Sequence, residues 1–356
     1  MNTSFLEDIQ TQPQVLRDAT ADLRQQASPL PDLSPARRIV LTGSGDSYIA
    51  AVAVAPLFEH RLEIAVKALP GLDASGYHGW RPGDVLVAAS VSGEVRRSVE
   101  AAERAHANHG VTIAITSDQR STLARGCDYR LITPPPLDRS IPHARDYTTA
   151  LLALAALLER LLGRALPELD AWPEAVEETL ASAFQVLQDL PPVAGRTWFL
   201  GAGPDRATAR YGALKFWEAA GLEAWWDDLE EFAHGSLLMA RPGDRAVLVS
   251  SGPGSDRAGE MMPGLLKMGM FPITVGPEPI AHDAVHLVAP ALGDATWQPF
   301  TSCLPLQVMT FVEARLRGLD VSVLLHGQAH AAAYEQVHVA WVKQDVPLQG
   351  HSEVVA

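Results

Sequence analysis

Short, largely apolar runs alternate along this chain with stretches in which apolar residues recur every three or four positions. Ile39-Val40-Leu41, residues 85–89 and residues 111–115 are runs of the first kind. They predict parallel strands buried on both faces, because such strands have no solvent side to make polar. Between the last two, Val95, Val99, Ala102 and Ala105 share one face at helical spacing. Residues 5–26 read as a helix through Phe5, Leu6, Ile9, Val15, Leu16 and Leu23, which Pro13 either kinks or divides. Pro29, Pro31 and Pro35 stop it. Pro134-Pro135-Pro136 closes the first set of strands, and helices are predicted near 145–164 and 172–189. Runs at 197–200, 246–249 and 273–275 then predict a second set of strands. Strands alternating with helices imply an α/β fold with doubly wound parallel sheets.

The second set echoes the first. Arg81-Pro82-Gly83-Asp84 enters one run and Arg241-Pro242-Gly243-Asp244 another. Leu41-Thr42-Gly43-Ser44-Gly45-Asp46 is answered by Leu200-Gly201-Ala202-Gly203-Pro204-Asp205, Val111-Thr112-Ile113 by Phe271-Pro272-Ile273, and Tyr147-Thr148-Thr149 by Phe300-Thr301-Ser302. Matches in one order, too widely spaced for a solenoid, predict an internal duplication of one α/β unit. The expected division is an N-terminal helical segment 1–34, a first unit 35–165, a helical linker 166–193, a second unit 194–327 and a tail 328–356.

Composition narrows the classes. The chain has 356 residues, 47% hydrophobic and 20% charged, which excludes disorder and allows each half its own core. A net charge of −14 argues against nucleic acid and anionic membrane surfaces, so neither is an expected partner. Cys127 and Cys303 are the only cysteines, which fits a reducing compartment. No basic leader precedes Glu7 and Asp8, and the run 150–158 is too short to span a bilayer, so a cytoplasmic location is expected.

Gly43-Ser44-Gly45 follows a strand, but Tyr48 stands where a dinucleotide fingerprint needs its third glycine, and Arg206 fails Gly201-x-Gly203 in the same way. No organic cofactor is expected. Ser90-Val91-Ser92-Gly93-Glu94 lies where a buried strand ends and a helix begins. Free helix amides, two hydroxyls and a glycine that lets the backbone approach suit a phosphate there, against the plainer reading of an N-cap serine. Ser250-Ser251-Gly252-Pro253-Gly254 is its constrained counterpart. Lys215 and Glu218, three apart, share a helical face, which by itself reads as a surface ion pair. His234 beside Gly235 ends an acidic stretch, and Trp225-Trp226 reads as core or interface packing. His326 and His330 are one turn apart, but spacing places no third ligand, so no metal is expected.

The duplication, the turn Gly45-Asp46-Ser47-Tyr48 and the loop at residues 90–94 resemble the SIS (sugar isomerase) family, over roughly residues 35–325. The likeness is in particular to the isomerase half of glucosamine-6-phosphate synthases, whose catalytic segments resemble Ala213-Leu214-Lys215-x-x-Glu218 and Glu231-x-x-His234-Gly235. The resemblance implies two tandem SIS-type domains, with Ser47, Ser90, Val91, Ser92 and Gly93 around the phosphate. It implies Glu218 as the proton carrier between C1 and C2, with Lys215 in the same catalytic segment. It implies His234 reaching in from a neighbouring subunit to assist ring opening, hence a homodimer. Several departures stand out. Residues 1–34 hold no cysteine to serve as a glutaminase nucleophile, so no use of glutamine is expected; Ala233 replaces a basic residue, Ser236 a proline and Val95 a threonine. Lys343, the only lysine after Lys267, stands in a different context from the synthase's tail lysine. The expectation is a phosphosugar isomerase acting on a hexose or amino-hexose 6-phosphate. An amino-sugar-phosphate deaminase or deglycase with the same base is the enzymatic alternative, and a non-catalytic sugar-phosphate sensor the other.

Overall fold

Pro13 divides the N-terminal helical stretch. In this computed structural model α1 spans Ser4–Gln10 and α2 Gln12–Ala27, with the proline in the first turn of α2, where a missing N–H costs nothing. The structure describes residues 4–31, 33, 36–137, 142–193, 195–281, 284–321 and 328–343. Pro35 and His326 lie outside them.

Two five-stranded, all-parallel sheets follow. The first contains β1 (Arg38–Gly43), β2 (Val66–Pro70), β3 (Asp84–Ala89), β4 (Val111–Thr116) and β5 (Tyr129–Ile132) in the order β2-β1-β3-β4-β5. Its helices are α3 (Asp46–Leu62), α4 (Arg96–Ala107), α5 (Thr122–Gly126) and α6 (Arg145–Leu162). After α7 (Pro167–Leu187), the second contains β6 (Thr197–Gly201), β7 (Ala224–Asp228), β8 (Arg245–Val249), β9 (Phe271–Gly276) and β10 (Val285–Val288) in the order β7-β6-β8-β9-β10. With it go α8 (Asp205–Lys215), α9 (Leu229–His234), α10 (Pro253–Lys267) and α11 (Pro299–Leu316), and α12 (Ala331–Val342) comes last. The two strand orders are identical position by position, as duplication requires.

The predicted strands are the central three of each sheet, buried along almost their whole length. The four edge strands β2, β5, β7 and β10 carry exposed and half-buried positions and no continuous apolar run. Trp225 and Trp226 lie on the edge strand β7, the first partly exposed against Trp198 and the second under the Arg210 guanidinium. Helix α7 starts five residues before the predicted 172, because Pro167 opens it.

The repeated Arg-Pro-Gly-Asp motif is a structural turn. Asp84 Oδ2 accepts from the Arg81 amide and Asp244 Oδ2 from the Arg241 amide, each at 2.9 Å. Gly83 and Gly243 take φ of 85° and 87°, where a side chain would be strained.

One apolar core fills the space between the sheets. It takes Ile49 and Leu57 of α3, Leu154 of α6, Tyr211 of α8 and Leu304 of α11 together with the inward residues of both sheets. Helix α3 packs on α8, and α7 packs on α11 and β10. Buried amides tie the halves further. Gln12 donates to Gln307 at 2.7 Å, Thr148 donates to Gln12 at 2.9 Å, and Gln307 donates to the Tyr211 hydroxyl at 3.0 Å. The outer face of the first sheet carries α4 and α5 through Val99, Ala102 and Leu123, and that of the second carries α9 and α10 through Phe232 and Ala258. No helix among the described residues is long and apolar enough to cross a membrane.

Candidate active site

In the order 2-1-3-4-5 the direction in which strands are added to the sheet reverses between β1 and β3, and the crevice beyond their carboxyl ends is where open α/β sheets take ligands. Two loops border it. The β1–α3 loop turns through Gly45 at φ 54° and delivers Ser47, 7% exposed, into the first turn of α3. The first bond of that helix runs from Ile49 to Gly45, so the amides of residues 46–48 precede it.

The second loop is residues 90–94, and its neighbours hold it rigid. Val91 O accepts from the Ser117 amide (3.0 Å), Ser117 Oγ (2.8 Å) and Thr116 Oγ1 (3.0 Å). The Glu94 carboxylate accepts from the Thr122 amide at 2.8 Å and hydroxyl at 2.7 Å, so it anchors the loop to α5. Gly93 has φ 64°, and a Cβ there would stand 2.1 Å from Ser121 Oγ, so no other residue fits without moving α5. Ser90 Oγ accepts from the Gly93 amide at 3.1 Å and Ser92 Oγ from the Glu94 amide at 3.2 Å. Both hydroxyl protons therefore stay available to an anion. Ser90 is buried and Ser92 exposed, and the amides of Val91 and Ser92 bond to nothing among the described residues. The loop is a donor-rich cradle at the start of α4, beside Arg96 and Arg97.

The second unit lacks this cradle, for a reason visible only in three dimensions. The sequence echo pairs Asp46 with Asp205, but the structure shifts the match by one. A Cβ on Gly43 would stand 2.7 Å from the Ser47 carbonyl carbon, and one on Gly201 would stand 2.7 Å from that of Asp205. Gly45 and Gly203 share φ values of 54° and 55°. Asp205 thus occupies the place of Ser47. Its buried carboxyl accepts from Ser251 Oγ at 2.6 Å, and burial pushes it up to about 7 against the pull of Ser251 and Ser302. A carboxylate there repels a phosphate and already occupies the hydroxyl that would bind one.

Across the crevice stand Lys215, the last residue of α8, and Glu218, in the wider π-helical turn Phe216–Ala220 that continues it. Lys215 is fully buried, which overturns the surface ion-pair reading. Its ammonium donates to Asp46 Oδ2 at 2.6 Å, Glu218 Oε2 at 2.6 Å and the His143 carbonyl at 2.9 Å, and lies 5.2 Å from the centre of the Tyr211 ring. Burial by itself would lower the lysine, but Asp46 and Glu218 outweigh it and hold it charged. Burial, only partly offset by Lys215 and reinforced by Asp46, raises Glu218 to about 7. The Glu218 side chain keeps 23% exposure, and its Oε1 is not engaged by Lys215. Behind them Asp146, buried and close to Asp8 and Asp46, is also raised to about 7. Asp46 had no assigned role in the sequence reading; its only signal there was a charge at the start of a helix that follows a glycine turn.

His234 is not brought to this group within one chain. Its helix α9 packs through Leu229 and Phe232 on the face of the second sheet that carries Trp198 and Leu248, whereas Tyr211 and Phe216 pack on the opposite face with Phe199 and Val247. His234 itself is exposed, next to Leu238 at 83% exposure. The C-terminal segment does approach. Lys343 bridges antiparallel to Val95, directly after the serine loop, and Tyr334 of α12 is raised by partial burial and by Glu218. Lys343 therefore lies beside the candidate site, a proximity its sequence context had hidden. No three His, Cys, Asp or Glu side chains among the described residues converge as a metal site.

The family model of the SIS domain matches residues 32–160, the unit that carries the serine cradle. The isomerizing glutamine–fructose-6-phosphate aminotransferase of Pyrobaculum aerophilum is 26% identical over 334 residues, covering 89% of this chain and 55% of that protein. The chain spans about half the length of the curated relatives it matches. The crystal structure of glucosamine-6-phosphate deaminase from Thermotoga maritima superposes with a TM-score of 0.76 at 19% identity, over 91% of this chain and 98% of that one. Tagatose-6-phosphate ketose/aldose isomerase from Escherichia coli gives 0.76 at 21% identity, over 92% and 97%. Residues 32–160 thus match the SIS domain, and these relatives and structural neighbours are named for amino transfer to, isomerisation of or deamination of sugar phosphates.

Proposed function

We propose that this protein is a phosphosugar isomerase that interconverts the aldose and ketose forms of a hexose 6-phosphate or amino-hexose 6-phosphate. One observation carries the reading: a carboxylate poised near neutrality, Glu218, is tied through Lys215 to Asp46, the residue next to Ser47 at the edge of the serine cradle. In the reaction the hydroxyls of Ser47, Ser90 and Ser92 and the amides of Val91 and Ser92 hold the phosphate. Glu218 takes the proton from C2 of the aldose. The C–H electrons form the C1–C2 double bond of an enediol as the carbonyl oxygen takes up a proton. Returning the carried proton to C1, with loss of the O2 proton, gives the ketose. A carboxyl near neutrality suits both halves, since it must accept and release the same proton.

The test is incubation in deuterium oxide with a panel of hexose and amino-hexose 6-phosphates. Deuterium at C1 or C2 of recovered sugar, with conversion between isomers, is the expected result. Release of ammonia or an amine identifies a deaminase or deglycase with the same base. Tight binding of a phosphosugar with no exchange identifies a sensor and overturns the reading.

The same reading makes the working unit a homodimer, with His234 supplied by the partner copy to assist ring opening. Its exposure, the separation of α9 from α8 by the second sheet, and the apolar Leu238 and Met239 beside it support this. Mixing inactive Glu218→Gln subunits with inactive His234→Ala subunits should restore about a quarter of native activity, because half of randomly paired dimers then hold one intact site. No recovery after demonstrated subunit exchange would place both residues in one chain's chemistry or remove His234 from it.

A further inference from the structure

Each of the three N–H bonds of the Lys215 ammonium points to an acceptor: Asp46 Oδ2, Glu218 Oε2 and the His143 carbonyl. A buried ammonium with every proton engaged is a fixed cation, available as neither base nor nucleophile. Its two carboxylates belong to different units, Asp46 at the start of α3 and Glu218 beyond the end of α8, 2.6 Å from the same nitrogen. Asp46 immediately precedes Ser47; among the described residues its buried Oδ1 has no hydrogen-bond partner and its one charged contact is the lysine.

We propose that Asp46 is the positioning residue of this site: by sharing Lys215 with Glu218 it holds the base at a set distance from the phosphate cradle and keeps the lysine from neutralising it. The proposal rests on the isomerase reading. With Asp46 charged, one cation serves two carboxylates, and Glu218 stays basic. With Asp46 neutral, Lys215 belongs to Glu218 alone, and a like charge is gone from its vicinity. Both changes lower the proton affinity of Glu218. The remaining groups around the triad are Asp146 of α6, backed by Asp8 of α1 and Arg145; His143, within 3.6 Å of Asp146; the Tyr147 and Tyr211 rings; and Tyr334 of α12. Both variants below retain all of them, so their contribution is common to the comparison.

The experiment compares native protein with Asp46→Asn, of equal shape, and Asp46→Ser, which can still accept from Lys215. Three readings are taken: kcat and KM between pH 5 and 9, inorganic phosphate binding, and the carbon-13 titration of the Glu218 carboxyl, identified by its loss in Glu218→Gln. Expected in both variants are a kcat about tenfold or more lower, KM and phosphate affinity within about threefold, and a Glu218 titration and acid limb moved down by about one pH unit. An unmoved Glu218 titration, an unchanged kcat, or failure of both variants to fold overturns the proposal and leaves Asp46 a stability residue. If the native protein exchanges deuterium with no phosphosugar, the isomerase reading fails by itself, and the Glu218 titration still decides whether Asp46 tunes it.

Discussion

Glu218→Gln is expected to cut turnover by about 10²–10⁴ while changing phosphosugar affinity by less than roughly tenfold. The amide keeps the shape of the side chain and an acceptor for Lys215, but it cannot take a proton from carbon. An interaction made mainly in the transition state is lost, and ground-state binding, set by the serine cradle, is left alone. The native pH profile adds a second signature. Glu218 must be ionised to act as a base, and burial together with Asp46 raises it to about 7. The rate should therefore rise through that region as the pH increases and fall below it. A profile flat from pH 5 to 9, or a Gln variant with more than a tenth of native turnover, removes Glu218 from the chemistry.

Replacing Ser90 and Ser92 together by Ala should weaken sugar-phosphate binding by about 2–4 kcal/mol, roughly 30- to 700-fold in Kd. Each hydroxyl accepts from a loop amide and retains a proton for the ligand, so the pair supplies two charge-assisted bonds in a partly dry site. The loop should survive, because Gly93, Glu94 and the triple acceptor Val91 O hold it independently of these side chains. The corresponding change at Ser250 and Ser251 should leave phosphate binding unaltered, since Asp205 fills that position. Calorimetric titration of both double variants separates the cases; loss of binding in the second alone would put the phosphate in the other unit.

Local pattern was enough for much of this molecule. Continuous apolar runs marked the six central strands, because a strand covered on both faces has no polar side to interrupt it. The repeated Arg-Pro-Gly-Asp motif and the break near Pro13 were legible too, for a different reason. Each is closed by contacts within a few residues, between a turn aspartate and its own amides or a proline and its own helix. The edge strands were not legible, because half of each meets solvent and carries whatever residues solvent tolerates.

The chemistry at the crevice was decided elsewhere. Lys215 and Glu218 at a spacing of three look the same on a solvated helix and in a dry cleft. What makes the lysine a buried, permanent cation is Asp46, 169 residues away, reached only because α3 packs on α8. The displacement of Ser47 by Asp205 was hidden by a one-residue slip in the repeat, visible once the glycine approaches of the two turns are superposed. Lys343 came to Val95 by the path of the final helix. The sequence by itself determined which segments must be buried and which turns must bend, since burial and backbone strain are properties of single residues and their neighbours. Only the tertiary structure decided which charges meet, because the energy of an ion pair depends on a distance and on the exclusion of water, and residue order specifies neither.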